Sequence, residues 1–477
     1  MRSSSLRVLC AVGAGLGLRM RRWDFASAYL QGSLLDGEVV YCSPPPGYVE
    51  TDVDGNSRIG ADGLPRICRV DKPIYGMAQA GRRWQRTIFP WFVSQGFKPS
   101  HNDPCLFRKS EIRQTPDGPR EELVIIGVYV DDLFVLYSHD DDHSLYRSFT
   151  TAMQAKWEVD DEGEVNDLLN VEISNEHGFV VLRQRTYIEK LMTIFAADEP
   201  LKGRLTREQS PCDENLPTLV ADALAQPQPP PPQLLKKYQS IVGALMYCST
   251  QTRPDVAFAV GMLARAMGKP TPQLYAAALR VLYYLDHHKH VGLRFQPGTA
   301  PMSGMSDSDW AVKHSTSGSV FHYMSAAISW SSKKQATVAL SSCEAEIVAA
   351  SEAAKEAVSL RNLLDDLGFG DSEPTRLHVD NQSAIAVAYN PEHHSRMKHV
   401  ARRHFFVREC VENLQIVVPF VASADNMADF FTKPLGPKQF FPLRNRIMNF
   451  DAREAAPAAV AATGGHGGDS LVASFDA

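Results

Sequence analysis

Cysteine is sparse and unpatterned in this chain of 477 residues. Cys10, Cys42, Cys68, Cys105, Cys212, Cys248, Cys343 and Cys410 stand too far apart for a CxxC pair or a zinc-ligand spacing. That excludes a disulfide scaffold and a zinc module, and it fits a reduced, intracellular setting. Uninterrupted apolar runs are lacking too, and none reaches the length needed to span a bilayer. Nor is there an excess of positive charge: 49 Lys and Arg against 55 Asp and Glu leave a formal charge of -6. A strongly basic nucleic-acid-binding domain is thereby excluded, and any such binding rests on local patches. The candidates are Arg19, Arg21 and Arg22; Arg82, Arg83 and Arg86; and the run from His393 to His404 with Arg396, Lys398, Arg402 and Arg403. Each also fits a plain solvated face. Internal repeats are absent, and the glycines from Gly13 to Gly17 lack the spacing and the preceding strand of a dinucleotide fingerprint.

What is present is the composition of an ordinary globular protein, 44% hydrophobic and 22% charged, at a length that suggests roughly three domains. The first 22 residues carry no acid and include an apolar stretch from Val8 to Leu18, a pattern shared with signal and transit peptides. Because that stretch runs without a spacer into the segment around Asp24, it is expected to belong to the fold. Two segments look like punctuation: 207–233, a linker ending in Pro229-Pro230-Pro231-Pro232, and 451–477, an Ala/Gly-rich disordered tail. A weaker boundary lies between Gln296 and Ser303. The chain therefore divides into a mixed α+β part over 1–206, a helical part over 234–299 and a mixed α/β part over 300–450. In the helical part, Tyr238 to Met267 and Pro272 to Asp286 are expected as helices, with Gly243, Leu245 and Met246 on a packed face.

Chemistry enters with the acids. Leu123 to Val130 and Leu133 to Tyr137 are apolar runs interrupted by Asp131-Asp132, which predicts a buried hairpin with two carboxylates at its tip. Tight hairpin turns usually carry glycine, and two adjacent carboxylates repel, so the pair is either an exposed acidic turn or a site for a divalent cation. Asp24 supplies a second context of the same kind, at the end of a strand from Leu18 to Trp23 and just before the helix-like Phe25 to Leu30. Strand-end acids can meet across neighbouring strands. Template-directed polymerisation requires such a cluster, because two magnesium ions about 4 Å apart activate the primer hydroxyl and stabilise the leaving pyrophosphate.

The motifs around these acids carry a resemblance. Trp23-Asp24-Phe25-Ala26-Ser27-Ala28-Tyr29-Leu30-Gln31-Gly32, then Pro44-Pro45-Pro46-Gly47-Tyr48, then Ile74-Tyr75-Gly76-Met77-Ala78-Gln79-Ala80 with Trp84, then Tyr129-Val130-Asp131-Asp132, occur in the order seen in copia-type retrotransposon reverse transcriptases. The resemblance implies Asp24, Asp131 and Asp132 as metal ligands. It also implies Tyr129 and Val130 at the primer terminus and nucleotide pocket, and Gln79 near the incoming nucleotide or template. Tyr238 to Tyr247, Thr252-Arg253-Pro254-Asp255, Tyr284-Leu285 and Gly292-Leu293 resemble the family's next segment and are expected to be structural.

A second carboxylate set suits hydrolysis of a phosphodiester, for which two divalent ions held by acids from separate elements activate water. Glu346 heads an otherwise apolar helical stripe with Ala350, Ala353, Ala357, Leu360 and Leu364, so it needs a partner. Glu344 shares a face with Ser351 and Lys355 and pairs with Ser341 as a capping box, a structural role. Asp380 ends a strand and is either a ligand or a helix N-cap. In Ser306-Asp307-Ser308-Asp309-Trp310 either acid fits, and Asp429 also suits a first helical turn. Ser315-Thr316-Ser317-Gly318, Trp330-Ser331-Ser332-Lys333-Lys334-Gln335, Ser341-Ser342-Cys343-Glu344-Ala345-Glu346, Val379-Asp380-Asn381-Gln382-Ser383-Ala384, Lys398-His399 and Ala428-Asp429 with Thr432-Lys433-Pro434-Leu435 resemble the ribonuclease H domain of the same family. The resemblance implies Asp307, Glu346, Asp380 and Asp429 as the four acids. For His394 and His399 the alternatives are contact with the hybrid's phosphates and a plain surface loop.

The family thus implies a reverse-transcriptase palm with partial fingers over 1–206, a thumb or connection segment over 234–299 and a ribonuclease H-like domain over 300–450. It implies two Mg2+ or Mn2+ ions per site, and as partners an RNA template, a DNA primer, the RNA/DNA hybrid, deoxynucleoside triphosphates and the other parts of the polyprotein. No membrane partner is expected; the setting would be a cytoplasmic virus-like particle or the nucleus. The resemblance covers nearly the whole of residues 5 to 449, yet the chain begins only just upstream of Asp24, so the family's fingers region is expected to be missing. Ala78 and Gly81 stand where relatives usually carry Lys and Pro. A catalytically silent nucleic-acid-binding remnant is the alternative expectation.

Overall fold

The computed structural model describes residues 1–45, 67–115, 118–195, 206–310, 314–389 and 401–451, with only the backbone described for 401–404. The acid-free start folds as a helix, α1 (Ser3–Leu16), buried from Ser5 to Ala14 and closed by Gly17 in the left-handed conformation. Its apolar character is therefore core packing. Asp103 holds its first turn, accepting from the Arg2 amide at 2.8 Å and from Ser5 Oγ at 2.7 Å.

Six strands form the first sheet, in the order β4-β5-β6-β7-β1-β8. They are β1 (Arg19–Phe25), β4 (Lys98–Pro99), β5 (Leu106–Thr115), β6 (Gly118–Tyr129), β7 (Asp132–Tyr137) and β8 (Val159–Glu164), while β2 (Val40–Cys42) and β3 (Cys68–Val70) pair separately. The run from Leu123 is almost continuously apolar because both faces of the sheet are covered. Val124, Ile126 and Val128 pack with Trp84, Phe92 and Phe149, which belong to α3 (Ala80–Ser94) and α4 (Leu145–Lys156). Ile125, Phe134 and Leu136 pack with the side of α1. A short helix, α2 (Ala28–Gln31), follows β1.

A smaller sheet has the order β12-β11-β10-β9, from β9 (Asp167–Leu168), β10 (Val171–Glu176), β11 (Phe179–Arg183) and β12 (Leu293–Phe295). Helices follow: α5 (Arg185–Phe195), α6 (Leu216–Ala225), α7 (Pro232–Gln251), α8 (Ala257–Arg265) and α9 (Pro272–His287). Here three expectations are corrected. The stretch 207–233 is not a spacer, since α6 buries Leu216, Val220 and Ala223, with Cys212 buried just before it. The expected helix from Tyr238 to Met267 breaks at Thr252–Val256, where Pro254 lacks an amide donor and opens a new 3-10 turn. The packed face of α7 is Tyr238, Ile241, Val242, Leu245 and Cys248, whereas Gly243 and Met246 are exposed.

The last unit is a five-stranded sheet in the order β15-β14-β13-β16-β17. Strands β13 (Ser303–Asp309), β14 (Thr316–Tyr323) and β15 (Ala326–Lys334) are antiparallel; β16 (Thr375–His378) and β17 (Ile416–Val417) continue the sheet in parallel with β13. The step from β15 to β16 runs through α10 (Ser342–Asp366), as a parallel addition requires a crossover. Three further helices are α11 (Gln382–Tyr389), α12 (Ala401–Glu412) and α13 (Pro437–Met448). Residues 390–400, with His394 and His399, and 452–477 lie outside the described residues.

Candidate active sites

The first site stands where β1, β6 and β7 end together. Asp24 faces Asp132 directly across the β1–β7 ladder, and Tyr129 faces Asp132 across β6–β7. Tyr129 and Asp132 therefore close the hairpin, and its two-residue turn is Val130-Asp131 rather than Asp131-Asp132. Asp132 is the first residue of β7. Val130 sits at φ 56, a conformation that costs a β-branched residue strain and that the surroundings must enforce. Trp84 supplies part of that constraint, its Nε1 donating to the Val130 carbonyl at 2.8 Å. The Asp131 carbonyl in turn accepts from the Phe25 amide at 2.9 Å, which ties the turn to the end of β1.

Two side chains not singled out from the sequence hold these acids. The Tyr75 hydroxyl donates to Asp131 Oδ2 at 2.6 Å, and its ring packs on Tyr29 with centroids 4.5 Å apart. Burial, together with that carboxylate, pushes the Tyr75 hydroxyl up to about 12. Arg22 Nε donates to Asp132 Oδ1 at 2.8 Å. Asp24 titrates above the usual carboxylate range, through burial first and then the charges of Asp132 and Asp131, with Arg22 opposing. Tyr75 was visible only as a member of the Ile74-Tyr75-Gly76 motif, and Arg22 only as part of a basic patch.

That patch is neutralised by acids, Arg19 meeting Asp140 and Arg21 meeting Asp161, and Arg83 of the second basic patch is bonded to Glu38 at 2.8 Å. Gln79 precedes α3 and donates to Glu38 Oε1 at 3.3 Å, so the structure joins it to Glu38 rather than to the three aspartates. Tyr129 and Val130 are exposed, and Tyr129 lines a cavity of about 420 Å³ with Leu169, Asn170, Tyr187 and Tyr247.

The second site is more tightly gathered. Asp307, Glu346 and Asp380 each offer a carboxylate oxygen within 4.8 Å of the others; among the described residues this is the one grouping of three potential ligands at such range. Asp307 comes from β13, Glu346 from the first turns of α10 and Asp380 from just past β16, on the strand next to β13. Asp429, in a 3-10 turn over Met427–Phe431, adds a fourth carboxylate whose charge bears on Asp307, so that four acids come from four elements. Gly318, opposite Asp307 in the β13–β14 register, makes room for that turn: a Cβ there would lie 2.6 Å from the Ala428 carbonyl oxygen.

Local bonding distinguishes the acids gathered in the cluster from their neighbours at three of the ambiguous positions. Asp309 accepts from the Thr316 amide, which fixes it to the β13–β14 pair and leaves Asp307 in the cluster. Asn381 Oδ1 accepts from the Ala384 amide at 3.0 Å, so Asn381 caps α11 in place of Asp380. Glu344 closes the start of α10: its amide donates to Ser341 Oγ at 3.2 Å and its Oε2 accepts from the Leu340 amide at 2.7 Å. Thr432 Oγ1 donates to Asp307 Oδ2 at 2.7 Å, and the Ser308 amide donates to Glu346 Oε1 at 3.2 Å.

Repulsion in this cluster is large. Burial and then Asp429 push Asp307 up to about 7; burial and then Asp307 and Asp380 push Glu346 up to about 8. Lys433 Nζ lies 2.7 Å from Asp429 Oδ2. Burial works against that ammonium, but Asp429, Asp307 and Asp380 outweigh it and raise its pKa. Glu346 Oε2 is nonetheless buried without a hydrogen-bond partner, and so is Asp131 Oδ1 in the first site.

Fold and sites together define a mixed α and β protein of several units with two clusters of carboxylates at strand ends. Residues 1–200 match the family model described as reverse transcriptase (RNA-dependent DNA polymerase). The chain is 29% identical to the retrovirus-related Pol polyprotein from transposon TNT 1-94 of Nicotiana tabacum, over 94% of this chain and 32% of that protein. It is 31% identical to the retrovirus-related Pol polyprotein from transposon RE2 of Arabidopsis thaliana, over 94% of this chain and 29% of that one. Among solved structures, a foamy viral protease-reverse transcriptase in complex with double-stranded DNA aligns with a TM-score of 0.46 at 11% identity, over 87% of this chain and 59% of that one. These matches support a copia-type retrotransposon reverse transcriptase. It spans roughly a third of the length of the curated relatives it matches. No helix among the described residues is long and apolar enough to cross a membrane.

Proposed function

We propose that the chain couples RNA-directed DNA synthesis to hydrolysis of the RNA strand of an RNA/DNA hybrid. The observation that carries the hydrolytic half is the gathering of Asp307, Glu346 and Asp380 within 4.8 Å, with the charge of Asp429 bearing on Asp307. Carboxylates crowded this closely and buried favour a divalent ion over any neutral ligand, and the unpartnered Glu346 Oε2 is a ready oxygen donor. Asp307, Glu346, Asp380 and Asp429 would hold two Mg2+ or Mn2+ ions there; Asp24, Asp131 and Asp132 would hold two in the synthetic site, where Asp131 Oδ1 is the unpartnered oxygen. Bound ions supply charge stabilisation for phosphoryl transfer and a lowered pKa for the attacking hydroxyl or water.

The chain's own groups do the positioning. Thr432 orients Asp307 and the Ser308 amide orients Glu346. Tyr75 and Trp84 fix the Val130-Asp131 turn, which would set Tyr129 and Val130 at the primer terminus and nucleotide pocket, while Gln79 would exchange its bond to Glu38 for the deoxynucleoside triphosphate or template. His399 is assigned to the hybrid's phosphates. The partners are the RNA template, the DNA primer, the hybrid and the remaining parts of the polyprotein, inside a cytoplasmic virus-like particle or the nucleus.

The test uses the full chain. With Mg2+ or Mn2+, it should cut the RNA of an RNA/DNA hybrid and extend a DNA primer on an RNA template. Glu346→Gln should abolish cutting while extension persists. A wild-type chain that cuts no hybrid, or a Glu346→Gln variant that cuts as well as wild type, overturns the ribonuclease assignment.

A further inference from the structure

Helix α10 carries Glu346 near one end and Asp366 at the other, twenty residues on, which at 1.5 Å per residue is about 30 Å of rigid rod. Asp366 does not face solvent at that far end; it reaches the first sheet. Its Oδ2 accepts from Ser100 Oγ at 2.7 Å, from the His101 amide at 2.8 Å and from the Asn102 amide at 3.1 Å. Its carboxylate is only 18% exposed. Immediately beyond, the turn at Gly368 packs on the palm side as well: a Cβ there would meet the Arg108 guanidinium at 2.8 Å.

The 100–105 loop that Asp366 grips is stiffened from its other side. Ser100 Oγ accepts from the Asn102 and Asp103 amides at 3.1 and 3.2 Å, and Asp103 is bonded to the start of α1. Cys105 O accepts from the Val128 amide at 2.8 Å, one residue before Tyr129 and two before the strained Val130. A continuous path of charge-assisted and backbone bonds thus joins the far end of α10 to the turn that carries Asp131. A second contact braces the same docking: Arg7 of α1 donates to the carbonyls of Ile328, at 2.6 Å, and Thr250, at 2.7 Å, and lies over the Trp330 ring.

We propose that Asp366 is a positioning residue that fixes where the RNA strand is cut relative to the primer terminus, by locking α10 to the 100–105 loop as a spacer between the two sites. The proposal rests on the function proposed above. A carboxylate accepting three donors at one oxygen anchors the end of α10 to the 100–105 loop, and its loss lets the rod pivot there, since the Arg361 guanidinium in the same last turns bonds to Asp371, Glu373 and Thr375 of its own unit instead. Hydrolysis itself involves none of these groups.

The experiment compares the full wild-type chain with Asp366→Ala and Asp366→Asn on an RNA template carrying a DNA primer with a recessed 3′ end, and on a long hybrid whose primer ends lie far from the cut sites. Wild type should cut in a narrow window at a fixed offset from the primer terminus. Loss of the three bonds in Asp366→Ala should widen that window by about twofold or more, with total cleavage of the long hybrid changed by less than about twofold. Asp366→Asn, which keeps an acceptor oxygen, should fall between them. Hydrogen exchange at the His101 and Asn102 amides, with the melting temperature of each variant, shows that the latch has opened in a folded chain. An unchanged window despite faster exchange at those amides overturns the proposal and leaves the ribonuclease assignment standing. A wild-type chain that cuts no hybrid brings down that assignment, and the spacing role with it.

Discussion

Removing divalent ions should make the stability of this chain fall as pH rises, and Glu346→Gln should remove the share of that slope that belongs to Glu346. Glu346 is pushed up to about 8 by burial and then by Asp307 and Asp380, and Asp307 to about 7 by burial and then by Asp429. A carboxyl raised in the folded state binds a proton there that the unfolded chain has already released. Stability is thus fullest below the unfolded carboxylate pKa and declines as pH climbs through the folded value. Each proton retained only by the folded state is worth about 1.4 kcal/mol per pH unit, so the proton of Glu346 alone costs roughly 3 kcal/mol between about pH 5.5 and about pH 7.5. The assay is urea denaturation in EDTA across this range, repeated with saturating Mn2+, in wild type and Glu346→Gln. Wild type in EDTA should lose stability with pH; Mn2+ should flatten the curve by replacing the protons, and Glu346→Gln should keep only the shallower slope that Asp307 supplies. A wild-type curve in EDTA with no slope, or an equal slope in Glu346→Gln, refutes the reading that these acids repel in a buried cluster.

Three further outcomes follow from single positions. Asp131→Asn should lower primer extension at least about a hundredfold while leaving hybrid cleavage at wild-type rate, since it removes a ligand from one site only; parallel extension and cleavage assays on one preparation decide it. Gly318→Ala should destabilise the last unit by about 1–3 kcal/mol and depress hybrid cleavage, because its Cβ would press within 2.6 Å of the Ala428 carbonyl and displace the turn holding Asp429; thermal melting and cleavage rate should fall together. Asp255→Leu should cost about 3–5 kcal/mol, for it strands Arg253, which is fully buried and bonded to both Asp255 oxygens, while the double variant Asp255→Leu/Arg253→Met should recover much of the loss. Urea midpoints of the single and double variants give the comparison.

Much of the last unit could be read from its residues because each element there carries a local signal. The apolar stripe beneath Glu346 and the Ser341 to Glu344 capping pair mark α10 at both its start and its buried face. The resemblance supplied the choice among nearby acids. Periodicity could not supply it, because what disqualifies Asp309 and Asp380's rival role is a single backbone bond in each case, to Thr316 and to Asn381. Non-local packing was equally hidden. Residues 207–233 have the composition of a linker, and only the surroundings of Leu216 and Val220 turn part of it into a core helix. The hairpin turn shifted by one residue for a different reason: Val130 is a poor turn former, and its left-handed backbone is imposed by Trp84 and by the Phe25 to Asp131 bond rather than by its own preference.

The two carboxylate clusters meet the same electrostatic difficulty with different resident groups, and this sets what a metal ion must do in each. In the first, Arg22 sits on Asp132 and the Tyr75 hydroxyl on Asp131, so two of three acids are already compensated within the protein. Arg22 is also the nearest competitor to an ion at Asp132. In the second, Lys433 pairs directly with Asp429, while burial and crowding raise the carboxyls of Asp307 and Glu346 and Glu346 Oε2 goes without a partner. An ion entering the second cluster displaces protons; one entering the first displaces or shares with a guanidinium. Metal affinity should therefore rise steeply with pH at the hydrolytic site and respond at the synthetic site chiefly to the charge at position 22. Isothermal titration of Mn2+ at two pH values, on wild type, Glu346→Gln and Arg22→Gln, separates the two: a pH-dependent affinity that survives Glu346→Gln undiminished contradicts the contrast between the clusters.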